Sequence, residues 1–227
     1  MELDQALETF RAEAAALSRA VGTLDEAEWA RPTRCEPWTV RELLAHVTVV
    51  IGWLPQMLEG PAPDSPGVTA TEYYRPDARF SAQGNAARID LARALAASHA
   101  DGAGLAAEFT STWQQAYRLC RAEHHGRVVR TRHGDAMLLM EFLVTRIVEV
   151  AIHGLDIADA LGREPWLTVQ AEEAVLRLVI GPTYRERVHD LKWDSPTAIR
   201  KVTGRATLTE PELDRIDSDG INWITLG

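Results

Sequence analysis

The stretch MLLMEFLVTRIVEVAIHGLDIADAL, residues 137–161, constrains this chain more than any other. It predicts one long helix of about seven turns at 3.6 residues per turn. On a helical wheel centred on Glu149, the polar side chains Glu141, Thr145, Arg146, Glu149, His153, Asp156 and Asp159 fall within an arc of roughly 140°. A solvated face would account for the arc, but Leu138 and Phe142 project into its middle. The apolar remainder is also wider than the stripe a surface helix needs. The expectation is a mostly buried helix whose polar streak faces inwards. Glu149 and His153, four residues apart, then meet on one face, as two metal ligands on one helix must. Spacing alone leaves a chance pairing open.

At 227 residues the chain lies between one large domain and two small ones, and 46% hydrophobic content is ample for a core. No run of about 18 uncharged apolar residues occurs, and the start, MELDQALETF, is acidic and amphipathic, so neither membrane insertion nor secretion is indicated. Two cysteines, Cys35 and Cys120, are too few for a disulfide framework, which makes the reducing cytoplasm the default location. A formal charge of −9 disfavours non-specific nucleic-acid binding. Of the 24 basic residues only Lys192 and Lys201 are lysines, a bias that with abundant Ala suggests a high-GC genome.

Residues 3–21 place Leu3, Leu7, Phe10, Ala14, Leu17 and Val21 on one face of an amphipathic helix. Gly22 and Thr23 end it. LDEAEWARPTRCEPW then reads as an ordered connection with Trp29 and Trp38 packing beneath it. Thr39 and Glu42 form a capping box after Pro37, so a second helix starts at Val40. On it His46 aligns with Leu43, Val50, Trp53, Leu54 and Met57, where it serves as a hydrogen-bonded core residue or as a ligand. Pro55 kinks or ends this helix. Residues 59–79, with Pro61, Pro63, Pro66 and Pro76, read as a long irregular loop of the kind that forms lids or binding loops.

Residues 83–99 and 103–121 read as one helix broken near Asp101 and Gly102, or as two helices, supplying a third wall. His124, His125 and His133 lie in or beside a short β-like segment, VVRTRHG, and the adjacent pair reads as surface. Beyond Gly162 and Pro165, helices are expected over 168–180 and 185–193, and short strands over 198–202 and 206–209 around Gly204. This tail of about 60 residues is too small to be stable by itself and is expected to pack on the bundle. There is no internal repeat, and Gly102 and Gly104 lack the strand and helix context of a nucleotide-binding loop.

His46 on one helix and Glu149 with His153 on another offer three N and O donors, with a fourth position left to water or substrate, the composition of a catalytic zinc site. TRCEPWTVRELLAHV (33–47) and TRIVEVAIHGLDIADALG (145–162) resemble the mycothiol-dependent maleylpyruvate isomerase family within the DinB-like superfamily. The resemblance rests on Trp-Thr-Val with a His eight residues after the Trp, followed later by Arg-x-x-Glu-x-x-x-His-x-x-Asp, and it covers the first 165 residues. It implies a mainly α fold: a DinB-like four-helix bundle over residues 1–165, with residues 166–227 as a small α/β tail. It also implies a divalent metal, zinc or another such as nickel, held by His46, Glu149 and His153. Arg146 and Asp156 match the same motif and become candidates for supporting catalysis by orienting ligands, with a salt bridge or packing contact as the alternative. Cys35 reads as packing rather than nucleophile, because the family uses an external thiol.

A free thiol has a pKa of about 8.5 and reacts as thiolate, and coordination to a metal deprotonates it. The expectation is a cytoplasmic transferase or isomerase, dependent on a metal and on mycothiol, acting on a small electrophile as a monomer or homodimer. No nucleic-acid or membrane partner is expected. KVTGRATLT (201–209) looks like the ending of related actinobacterial proteins but is short beside the isomerase's second domain, which favours S-transfer, or another thiol-dependent reaction, over maleylpyruvate isomerisation. Two alternatives stay open: a hydrolase in which the metal activates water, and a non-catalytic metal-binding protein whose site a fourth protein ligand closes.

Overall fold

The computed structural model describes residues 1–75, 81–217 and 221. Helix α1 (Leu3–Val21) buries the stripe expected of it, from Leu3 through Phe10 to Val21. A short helix, α2 (Glu26–Trp29), orders the connection that follows, closed by a reciprocal capping box between Asp25 and Glu28. Trp29 and Trp38 are both buried. Helix α3 (Val40–Glu59) starts at the expected residue: the Thr39 hydroxyl accepts from the Glu42 amide, and the Glu42 carboxylate accepts from the Thr39 amide at 2.8 Å. Pro55 does not end α3, which runs on to Glu59. Proline removes its own N–H from the ladder, and the residues after it keep theirs.

Two separate helices, α5 (Ala82–Ala97) and α6 (Gly102–Arg121), follow a short helix α4 (Ala70–Tyr73). Asp101 caps α6, its carboxylate accepting from the Gly104 amide. Gly102 is required there, since a Cβ would lie 2.1 Å from Trp29 Nε1. The segment expected as an irregular loop thus contains α4, and its last part, residues 76–79 with Pro76, lies outside the described residues. The loop is tied to the core: the Ala70 amide donates to Glu141 Oε2 at 2.8 Å, and the Tyr74 hydroxyl donates to the Thr145 carbonyl at 3.0 Å.

Strands β1 (Val128–Arg130) and β2 (Ala136–Leu138) pair antiparallel, Val129 opposite Met137. They delay the central helix, α7 (Leu139–Leu161), because Met137 and Leu138 belong to the ladder and the Leu139 amide bonds back to the Arg127 carbonyl. Around the bundle α1 meets α6, α6 meets α3, α3 meets α7, and α7 returns to α1, while α5 flanks α3. Helix α7 is therefore covered on almost every side. Thr145, Arg146, Glu149, His153 and Asp156 are all buried, so the middle of the polar streak faces inwards, whereas Glu141 near its start is half-buried and Asp159 at its end is exposed.

In the tail, α8 (Val169–Ile180) packs on α7 and α1, and α10 (Ser195–Val202) packs on α8; α9 (Tyr184–Asp190) and α11 (Glu210–Asp217) complete it. The strands expected over 198–202 and 206–209 do not form. Asp194 caps α10, its carboxylate accepting from the Thr197 amide at 2.7 Å with Pro196 in the first turn, and this local start signal outweighs the short alternating pattern beyond it. Over 206–209 the chain is irregular, and Thr209 bonds to the Glu212 carboxylate at the start of α11. Residues 218–220 and 222–227 of the expected tail lie outside the described residues. Among the described residues no helix is long and apolar enough to cross a membrane.

Candidate metal centre

Glu149 and His153 stand one turn apart on the buried face of α7, and α3 brings His46 against them. Glu149 Oε2 lies 3.5 Å from His46 Nε2 and 3.3 Å from His153 Nε2. Neither approach has hydrogen-bond geometry, so Oε2 is a buried oxygen without a hydrogen-bond partner. Leaving a buried anion unsatisfied costs free energy. One potential ligand atom from each residue converges to within 4.8 Å of the others, so the three side chains could hold a metal ion. Two imidazole nitrogens and a carboxylate oxygen fit zinc or a similar divalent ion with one position left open. His46 and Glu149 retain 7% and 8% exposure against 1% for His153, so the cluster is nearest to solvent on the His46 and Glu149 side.

The surrounding groups fix these rings. Trp38, held by the loop before α3, stacks on His46 with centroids 4.6 Å apart and planes inclined by 24°. Burial pushes the His46 pKa down, against the opposing pull of Glu149, which favours the neutral ring a metal requires. Burial also opposes charge on Glu149, but His153, His46 and Arg146 outweigh it and hold that carboxyl well below its ordinary value. Arg146 is fully buried: its Nη1 donates to the Val50 carbonyl at 3.1 Å, tying α7 to α3, and its Nη2 sits 3.9 Å from Glu149 Oε1.

Asp156 lies on the far side of His153. Its Oδ2 accepts from His153 Nδ1 at 3.1 Å and from Cys35 Sγ at 3.2 Å, and Arg205 forks onto it, Nε to Oδ1 and Nη2 to Oδ2, both at 2.7 Å. With Nδ1 donating, Nε2 of a neutral His153 presents its lone pair toward Glu149 and His46. Burial disfavours a proton on His153, yet Asp156, Cys35 and Glu149 draw it well above its ordinary pKa, so a cation and a proton compete for this ring. Burial likewise opposes charge on Asp156, but His153 and Arg205 hold its pKa far down. Cys35, His153 and Asp156 also converge closely enough to hold a metal. The Arg205 fork already neutralises that carboxylate, and the cluster works as a hydrogen-bond network.

The structure therefore brings together His46, Glu149, His153, Arg146 and Asp156. It keeps His124 and His125 apart on the surface, with His125 3.7 Å from Asp4. Cys120 is buried elsewhere and its thiol is pushed up to about 12 by desolvation. Cys35, expected to serve packing, donates to Asp156. Sequence reasoning missed Arg205 altogether, and 49 residues separate it from its partner. The arginine that follows a turn glycine in the tail was the signal available.

Residues 10–158 match the family described as the mycothiol maleylpyruvate isomerase N-terminal domain. No curated protein matches the chain. Among solved structures the fold is similar to that of the mycothiol-dependent maleylpyruvate isomerase, with a TM-score of 0.55, and to a histidine-to-alanine mutant of it, with a TM-score of 0.56. Each likeness has 18% identity over 79% of this chain and 70% of the other. At that identity the likeness is one of fold, and it identifies the helical ring as a DinB-like four-helix bundle.

Proposed function

Because this chain belongs to the mycothiol maleylpyruvate isomerase N-terminal domain family over residues 10–158, we propose that it is a metal- and thiol-dependent enzyme acting on a small electrophile. His46, Glu149 and His153 would hold the metal. The low-molecular-weight thiol is, by family, mycothiol. One observation carries this reading: a buried carboxylate oxygen, Glu149 Oε2, without a hydrogen-bond partner and faced by two imidazole nitrogens. Zinc or a similar divalent ion, when bound, supplies the positive charge that favours a thiol's deprotonated, nucleophilic form.

The chain's own side chains do the rest. Burial keeps His46 neutral and Trp38 fixes its plane. Asp156 holds the Nδ1 proton of His153, which leaves Nε2 free to bind. Arg146 offsets the charge on the other oxygen of Glu149 and, with the apolar walls of α3 and α7, keeps water from that side. Arg146 and Asp156 are thus positioning residues. Sulfur added to an electrophilic carbon, followed by bond rotation and elimination, gives cis–trans isomerisation; displacement that keeps the sulfur gives S-transfer. Of the two outcomes we favour S-transfer. Two free cysteines and no disulfide fit a cytoplasmic setting.

The test is optical. Cobalt-substituted protein should develop an intense sulfur-to-metal absorption in the near ultraviolet when mycothiol is added. A spectrum unchanged at millimolar mycothiol, together with turnover of an ester or amide, would replace the thiol reading with a hydrolase.

A further inference from the structure

The tail is fastened to the polar end of α7 by two arginine forks. Arg200 binds Asp159, Nη2 to Oδ1 at 2.6 Å and Nε to Oδ2 at 3.2 Å. One turn back along the helix, Arg205 binds Asp156. The two forks differ in surroundings. The Arg200 and Asp159 side chains are 25% and 34% exposed, and those of Arg205 and Asp156 are 6% and 0%. Arg205 also follows the turn at Gly204, whose φ of 72° suits glycine. Arg34, beside Cys35, pins that turn from the bundle, donating to the Arg205 carbonyl at 2.6 Å and the Gly204 carbonyl at 3.1 Å.

Counting donors on Asp156 shows what Arg205 adds. Oδ2 accepts from His153, Cys35 and Arg205. Oδ1 accepts from Arg205, with Arg34 Nε no nearer than 4.0 Å. Without Arg205 the carboxylate has no close donor on Oδ1 and is free to rotate about its terminal torsion, which is broad for aspartate. Rotation withdraws Oδ2 from His153 Nδ1.

We propose that Arg205 is a positioning residue of the metal centre. The C-terminal segment delivers it, it locks Asp156, and through Asp156 it sets the plane and tautomer of His153, so the centre reaches its full metal affinity only with the tail docked. The proposal rests on the reading of His46, Glu149 and His153 as metal ligands. A fork that only glued the tail would be equivalent to the Arg200 fork, which touches no ligand and serves as the internal control.

The experiment uses full-length protein, and Arg205→Ala, Arg205→Lys and Arg200→Ala variants. Zinc affinity is read by competition with a chromophoric chelator. The hydrogen-bonded Nδ1 proton of His153 is read in zinc-free protein as a downfield NMR resonance. Arg205→Ala should weaken zinc binding about 10- to 100-fold, the usual effect of removing an outer partner, and should lose the His153 resonance. Millimolar guanidinium should restore part of both. Arg205→Lys, which keeps the charge without the fork, should lie between, and Arg200→Ala should match wild type. Wild-type zinc affinity and an intact resonance in Arg205→Ala would overturn the proposal, as would equal losses in Arg200→Ala. If wild-type protein takes up no zinc, the functional reading falls, and the zinc-free resonance still decides for or against Arg205.

Discussion

Glu13 on α1 and Glu149 on α7 are both buried carboxylates in adjoining helices, 3% and 8% exposed, and their electrostatics run in opposite directions. Desolvation raises the Glu13 pKa to about 7, and the hydrogen bonds from Thr168 together only partly offset it, while Glu172 adds repulsion. Glu149 suffers the same desolvation, yet two imidazoles and Arg146 pull its pKa well below the ordinary range. Burial is common to both. The partners decide, and a carboxylate faced by two imidazoles and a guanidinium is built to stay charged where Glu13 is built to be neutralised.

The comparison breaks most completely at Glu149. Replacing it with Ala should remove bound metal, from close to one ion per chain to none by elemental analysis, and abolish thiol-dependent activity. A variant retaining its full metal complement would remove Glu149 from the ligand set. Arg146→Met should come next, because it strips a buried cation from Glu149 and the Val50 carbonyl. A loss of about 3–5 kcal/mol in chemical denaturation is expected for breaking such a buried pair. Little change would mean that the imidazoles alone hold Glu149 charged.

Glu13 should appear in the pH dependence of stability. Its pKa is higher folded than unfolded, so the native state holds the proton more tightly. Stability on this account is fully present below about pH 4.5 and falls as pH rises through 7, by about 3 kcal/mol in all. Glu13→Gln should flatten the curve between pH 5 and 8.5, and parallel curves for variant and wild type would reject the assignment. The smallest effect belongs to Glu172→Gln, which removes one repulsive neighbour and should move the midpoint of that transition slightly toward acid.

What could be read in the sequence followed from what is local. The inward part of the α7 streak, Thr145 to Asp156, and the Thr39 capping box are set by helical geometry over a few residues, and both stand in the structure where expected. The meeting of Glu149 with His153 was legible for the same reason. That His46 joins them depends on how α3 crosses α7, which spacing does not encode; there the resemblance carried the expectation. The tail failed at 198–202, where the apolar pattern suited a strand but Asp194 and Pro196 had already started a helix. Arg205 was missed because the turn glycine before it marks a bend and not a partner, and its partner Asp156 lies on another element 49 residues away.

The contact between Gly102 and Trp29 binds two positions into one unit of change. The indole occupies the space that any side chain at position 102 would need, with a Cβ 2.1 Å from Nε1. Trp29 is 1% exposed among the largest buried side chains, so it has no free volume into which to retreat. A substitution at 102 is therefore open to this sequence only after the tryptophan has been exchanged for a smaller residue. That order is fixed: position 29 must change before position 102 can.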